Sequence, residues 1–256
     1  PFPPRPDSTM KSLPALLATF TLTFLAALPA ARANVVIAGT RVVFAPGAHE
    51  VTLRLTNEGD RPALVEAWLD DGDPTATPDS AHVPFLVTPP LARMNAGKGQ
   101  SLRIVHTGAA MPEGRESLYW LNVLEVPPRP AATDGETQNS LQFAVRSRIK
   151  VFFRPAGLKG DPLTAGRELG WKLVADGAGY ALEASNPTPF HVTVSAATLH
   201  VGGANYASEP GMLAPHQSLR LALKDLTRAP GPGATLDYTV INDFGAPVAW
   251  QGRITP

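Results

Sequence analysis

Residues Ser140 to Pro155 read S-L-Q-F-A-V-R-S-R-I-K-V-F-F-R-P and hold the longest alternation of apolar with polar or basic positions outside an apolar segment near the N-terminus. In an extended strand successive side chains point to opposite faces. Leu141, Phe143 and Val145 therefore share one face with Ser147, and Gln142, Arg146, Arg148 and Lys150 share the other. From Ile149 to Phe153 the pattern becomes almost continuously apolar around Lys150, as in a strand buried on both faces, and Arg154-Pro155 ends it. Periodicity alone is met by an ordinary strand whose Lys150 snorkels to water.

The same alternation recurs along the chain. V-T-L-R-L-T-N and A-L-V-E-A-W-L read as half-buried antiparallel strands, the second running into the turn Asp70-Asp71-Gly72-Asp73. The opening V-V-I-A-G-T-R-V-V-F reads as an apolar strand with Arg41 in its middle, where an arginine needs a partner or a ligand. Val83 to Lys98 carries prolines at 84, 89 and 90, so it reads as an edge strand and a bend, with a cis bond at Thr88-Pro89 or Pro89-Pro90. R-E-S-L-Y-W-L-N-V-L-E-V-P-P is long enough to pair with the Ser140–Pro155 strand, and the polar stretch between them reads as a linker. After Pro155 a Gly/Pro/Lys-rich passage leads to a second set of strands from Leu169, with a hairpin at Gly177-Ala178-Gly179.

Composition agrees with strands and turns: 27 Pro and 22 Gly in 256 residues, and no helical heptads. The expected fold is all-β, with two immunoglobulin-like β-sandwich domains of about seven short strands each. Residues 1–33 read as a leader with a signal peptide from Met10 to Ala33: Lys11 precedes an apolar run, Leu13 to Leu28, and Ala31-Arg32-Ala33 has the small-x-small form of a cleavage site. Domains are expected at 34–155 and 156–256. Lys and Arg total 22, as do Asp and Glu, so no global field recruits nucleic acid or an anionic membrane surface. Without cysteine there are no disulfides or thiolate metal sites.

Catalytic motifs are absent: no G-x-S-x-G elbow, no H-E-x-x-H, no cysteine nucleophile. The six histidines are scattered singly, and the Asp70 to Asp73 cluster is explained by a hydrophilic turn without a metal. The lone G-x-G at Gly177 precedes no helix and marks no dinucleotide site. Nothing here asks for an enzyme, a metal or a cofactor.

Six blocks carry a specific resemblance: T-R-V-V-F, T-P-P-L-A-R-M-N-A-G, R-E-S-L-Y-W-L-N-V-L-E-V-P-P, R-I-K-V-F-F-R-P, N-P-T-P-F-H-V-T-V and I-N-D-F-G. In this order they resemble the periplasmic pilus (fimbrial) chaperones of the chaperone-usher pathway. The resemblance implies two sandwiches in an L-shaped arrangement. It also implies a periplasmic protein that binds, folds and caps pilus subunits by donor-strand complementation and delivers them to an outer-membrane usher, without ATP or another cofactor. Residue by residue, it implies that Arg41 and Lys150 grip the C-terminal carboxylate of a subunit, and that Leu141, Phe143 and Val145 lie on the strand lent to it. Glu116, Arg154 and Asp243 fall where the family bridges its two domains. The linker before Leu141 is longer than in short-loop members, yet the cysteine pair of the long-loop class is missing.

An exported two-domain adhesin or secretion accessory protein has the same strand pattern, as does a secreted sandwich hydrolase with a site assembled from scattered His and Asp. Glycan binding without a subunit would mark the first, and turnover abolished by His106→Ala the second. Export itself gives a direct expectation: mass spectrometry of periplasmic extract finds a mature chain beginning at Asn34 and no membrane span after cleavage. A chain that keeps Leu13–Leu28 in the membrane fraction contradicts it.

Overall fold

The computed structural model describes residues 34–128, 142–230 and 233–255; the leader and Leu141 lie outside them. The described residues of the first half form nine strands: β1 (Val35–Ile37), β2 (Arg41–Phe44), β3 (Glu50–Asn57), β4 (Ala63–Asp70), β5 (Phe85–Thr88), β6 (Leu91–Met94), β7 (Gly99–His106), β8 (Ser117–Val126) and β9 (Val145–Phe153). They form two sheets, ordered β1-β3-β7-β5 and β2-β9-β8-β4-β6. Inward positions alternate along each strand, so that Phe44, Leu55, Leu102, Ile104, Leu121 and Val151 meet in one core.

The opening apolar segment is two strands and not one. Gly39, at φ +127°, turns the chain between them, so β1 pairs with β3 in one sheet and β2 pairs in parallel with β9 in the other. Arg41 consequently starts a strand instead of sitting inside one. The Glu125 carboxylate of β8 accepts the Val35 amide at 3.0 Å and ties β1 to the opposite sheet. A second crossing between sheets follows β5, where Thr88-Pro89 is cis.

The second half repeats the architecture with its own core around Trp171, Leu182, Leu199, Leu213 and Leu236. Its strands are β10 (Gly170–Asp176), β11 (Gly179–Ser185), β12 (Val192–Val201), β13 (Ala204–Ala207), β14 (Gly211–Leu213), β15 (Ser218–Ala222), β16 (Thr235–Ile241), β17 (Pro247–Gly252) and β18 (Ile254–Thr255). The sheets are β15-β11-β10-β18 and β13-β12-β16-β17, with β14 also on β12. Gly177, at φ +57°, makes the tight β10–β11 hairpin, where Asp176 pairs with Gly179. The molecule is all-β in two sandwiches, as the alternation of the sequence predicts.

Candidate functional site

Strand β9 organises the first sandwich. It pairs antiparallel with β8 from Val145↔Glu125 to Phe153↔Ser117, and in parallel with β2 only from Lys150↔Arg41 to Phe153↔Phe44. Val145 to Ile149 therefore have no partner strand on their second edge among the described residues. The strand also starts later than its alternation suggests. β8 stops at Val126 because Pro127 and Pro128 lack the amide that would continue the ladder, so Phe143 lies ahead of the strand and Val145 opens it. In place of a ladder, the Gln142 side chain donates to the Pro128 carbonyl at 2.6 Å. Phe143 and Val145 stand 69% and 44% exposed.

On the outward face of β9 the three cations have different fates. Arg148 bonds the Asp70 carboxylate at 2.6 Å. Arg146 bonds Asn122 Oδ1 at 2.8 Å and lies over the Trp68 ring, while Arg148 and Lys150 both approach Trp120. Asp70, which the sequence suggests is a turn residue, is the last residue of β4 and fully buried. Its carboxylate is held by Arg148 and by Asn122 Nδ2 at 2.7 Å. A buried charge survives only with such partners.

Lys150 meets no carboxylate among the described residues. Its ammonium donates to Thr193 Oγ1 on β12 at 3.1 Å. Beside it Arg41 donates from Nη1 to the Ile241 carbonyl on β16 at 3.0 Å, and its Nε is buried without a partner among the described residues. Burial pulls the Lys150 ammonium below the usual lysine range, and the neighbouring Arg41 charge adds to this. Burial likewise lowers Arg41, with Asp243 and Glu116 partly offsetting it and Arg154 reinforcing it. Two cations held in one cleft, both depressed and neither in an ion pair among the described residues, are chemically suited to take up an anion.

At the end of β9 stands a charge network. Arg154 bonds Glu116 from Nε at 2.6 Å and Asp243 through Nη1 and Nη2 at 2.6 and 2.8 Å, a two-pronged grip. Glu116 is 2% exposed. Its second oxygen accepts both the backbone amide and the Nδ1 nitrogen of His191, each at 2.9 Å. Burial works against the Arg154 charge, but Asp243 and Glu116 outweigh it and raise its pKa. Asp243 is presented by a tight turn in which the Asn242 side chain caps the amides of Phe244 and Ala246. Gly245 sits so close to Thr40 that a Cβ there would meet the threonine hydroxyl.

These contacts bring Arg41 together with Lys150, and Glu116 with Arg154 and Asp243. The sequence reasoning missed His191, Thr193 and the Ile241 carbonyl. Thr193 and Ile241 are cross-strand neighbours in β12–β16, so the hint lay in H-V-T-V and I-N-D-F-G standing among the conspicuous blocks.

Residues 34–159 match the family described as pili and flagellar-assembly chaperone, PapD N-terminal domain, and residues 164–251 match the pili assembly chaperone PapD, C-terminal domain. The chain belongs to the pilus assembly chaperone family. Chaperone protein FimB/FhaD of Bordetella pertussis is 47% identical over 231 residues, 88% of this chain and 90% of that protein. Probable fimbrial chaperone YadV of Escherichia coli K12 is 40% identical over 223 residues, covering 87% and 90%. In three dimensions the chain matches the crystal structure of the YadV chaperone with a TM-score of 0.74 at 36% identity, over 86% of this chain and all of that one. It matches a SafB chaperone solved with the SafA pilin of Salmonella enterica with a TM-score of 0.67 at 30% identity, over 87% and 98%.

Two outcomes test this pilus chaperone's charges. Arg154→Ala leaves Glu116 buried without its strongest partner and should cost about 3 kcal/mol in a urea unfolding curve; an unchanged midpoint refutes the network. Lys150→Met should be at least as stable as the parent at neutral pH. Because the folded lysine has a lowered pKa, the cost of its charge is present below that pKa and vanishes as pH rises toward the ordinary lysine value of 10.5. Melting curves across pH should therefore converge at the alkaline end, and a Lys150→Met protein that is less stable at pH 7 overturns the sign.

Proposed function

We propose that this pilus chaperone captures a pilus subunit by lending it strand β9 while Arg41 and Lys150 grip the subunit's terminal carboxylate. Residues 34–155 act as the subunit-binding sandwich and 156–256 as the second. The observation that carries the reading is the edge of β9 from Val145 to Ile149, which has no partner strand among the described residues and runs straight into two cations that bond only neutral groups there. A subunit lacking a strand exposes an apolar groove and unpaired backbone groups. An added strand satisfies those groups along its length, and its alternate side chains fill the groove. Phe143 and Val145 are exposed and apolar, as that role requires, and Leu141 continues their spacing. The SafB chaperone solved with the SafA pilin supports a pilus subunit as the partner.

The chain works in the periplasm and hands its cargo to an outer-membrane usher. The surface available for that hand-over lies on the outer face of the other end of the same sheet, where Leu64, Leu91 and Val126 are exposed together. Exposed apolar patches of this kind mark protein contacts. No chemistry on a substrate is needed, because binding energy alone holds the complex.

Co-purification from periplasmic extract, with mass spectrometry identifying the bound subunit, tests the reading. Phe143→Asp places an unpaired charge in an apolar groove and costs several kcal/mol of binding, on the order of a thousandfold, while circular dichroism stays unchanged because Phe143 is exposed. Arg41→Ala should also fold and lose capture. Folded variants that still retain the subunit place the binding face elsewhere, and variants that unfold identify these residues as core.

A further inference from the structure

Arg41 and Lys150 are cross-strand neighbours in the first sandwich, and Thr193 and Ile241 are cross-strand neighbours in the second. The two pairs meet corner to corner, Lys150 Nζ on Thr193 Oγ1 at 3.1 Å and Arg41 Nη1 on the Ile241 carbonyl at 3.0 Å. The remaining hydrogen-bonding capacity at this junction is rich in donors. A hydroxyl has one proton and two lone pairs. Thr193 spends a lone pair on Lys150, and its own proton reaches no acceptor among the described residues. Arg41 Nε is buried and unspent, and an ammonium bonded once keeps two further protons. The carbonyl of Ile241 accepts from Arg41. Unspent donors on Arg41, Lys150 and Thr193, drawn from both sandwiches, therefore meet at this junction.

We propose that Thr193 is a third ligand of the carboxylate, its hydroxyl donating to one carboxylate oxygen while Arg41 and Lys150 hold the charge. This rests on the reading that these cations bind a chain-terminal carboxylate. Accepting a bond from an ammonium polarises the Thr193 O–H and makes it a better donor. Threonine also fits the preference required: a hydroxyl donates more strongly to a charged carboxylate than to the neutral carbonyl oxygen of an amide chain end. The second sandwich thus contributes a ligand of its own, and the site is incomplete in the first sandwich alone.

The test uses the full mature chain and a synthetic peptide of strand length, alternating valine and threonine, made with a free carboxylate and as its C-terminal amide. The readout is the ratio of the two dissociation constants. The parent protein should prefer the acid, Thr193→Val should lose roughly tenfold of that preference, and Thr193→Ser should keep it. Thr193→Ala provides a second variant should the valine perturb folding, which melting curves reveal. In a Lys150→Met background Thr193→Val should still lower the acid preference, because a direct ligand acts without Lys150 whereas a residue that only positions Lys150 does not. If Thr193→Val keeps the parental ratio, weakens acid and amide equally, or has no effect in the Lys150→Met background, Thr193 is not a ligand although the carboxylate site stands. If the parent itself does not distinguish acid from amide, the carboxylate reading fails, and Thr193 with it.

Discussion

The contact on which the rest depends is the grip of Arg154 on Glu116 and Asp243. One arginine at the end of β9 joins a carboxylate of its own sandwich to one from a turn of the other, with Glu116 tied in addition to His191. Taking these charges out of water is costly, and their mutual attraction recovers the cost only with good geometry. What such a network provides is one arrangement in place of many. The Asp243 turn lies against Thr40 with no room for a side chain at Gly245, and the carbonyl that meets Arg41 belongs to Ile241, two residues before Asp243. Position at the charge network is therefore position at the cleft.

β9 illustrates how neighbouring cations with the same spacing acquire different roles. Arg146, Arg148 and Lys150 share a face, and sequence gives no means of separating them. The separation comes from β4. Its last residue, Asp70, is buried beneath Arg148 and within reach of Arg146, so these two cations share one carboxylate inside the first sandwich and hold its outer face together with Trp68 and Trp120. Lys150 is level with Asp70 in register, but Trp120 of β8 stands between them, and its ammonium meets a neutral hydroxyl instead. Among the described residues no carboxylate meets its ammonium, which is what the proposed binding of an anion from outside requires.

Much of this was legible in the chain. Period-two alternation located β3, β4, β8 and β9 and the two-sandwich class, because a half-buried strand writes its burial directly into sequence. Arg41 and Lys150 stood out because a charge among apolar neighbours demands explanation. Other features were hidden for reasons that local pattern cannot overcome. Asp70 looked like a turn residue because its partner Arg148 is far away in sequence. Arg41 seemed to interrupt one strand because a single glycine, Gly39, divides the segment between two sheets. Thr193 was silent because threonine is at home in any strand, and only the meeting of two sandwiches puts it beside Lys150. The start of β9 at Val145 was decided on a different strand, by the proline pair that stops β8.

That proline pair has a metric consequence. The strand can offer backbone from Val145 onward, and the cationic cleft lies at Lys150, five positions later. At about 3.3 Å per residue this fixes a span near 17 Å. A chain that only adds to the edge can slide along it, and one that only brings a terminus can swing about it. Under the proposed reading a partner that engages both must be an extended segment ending after a set length, and the edge and the cleft together would measure it as a ruler does, from its end.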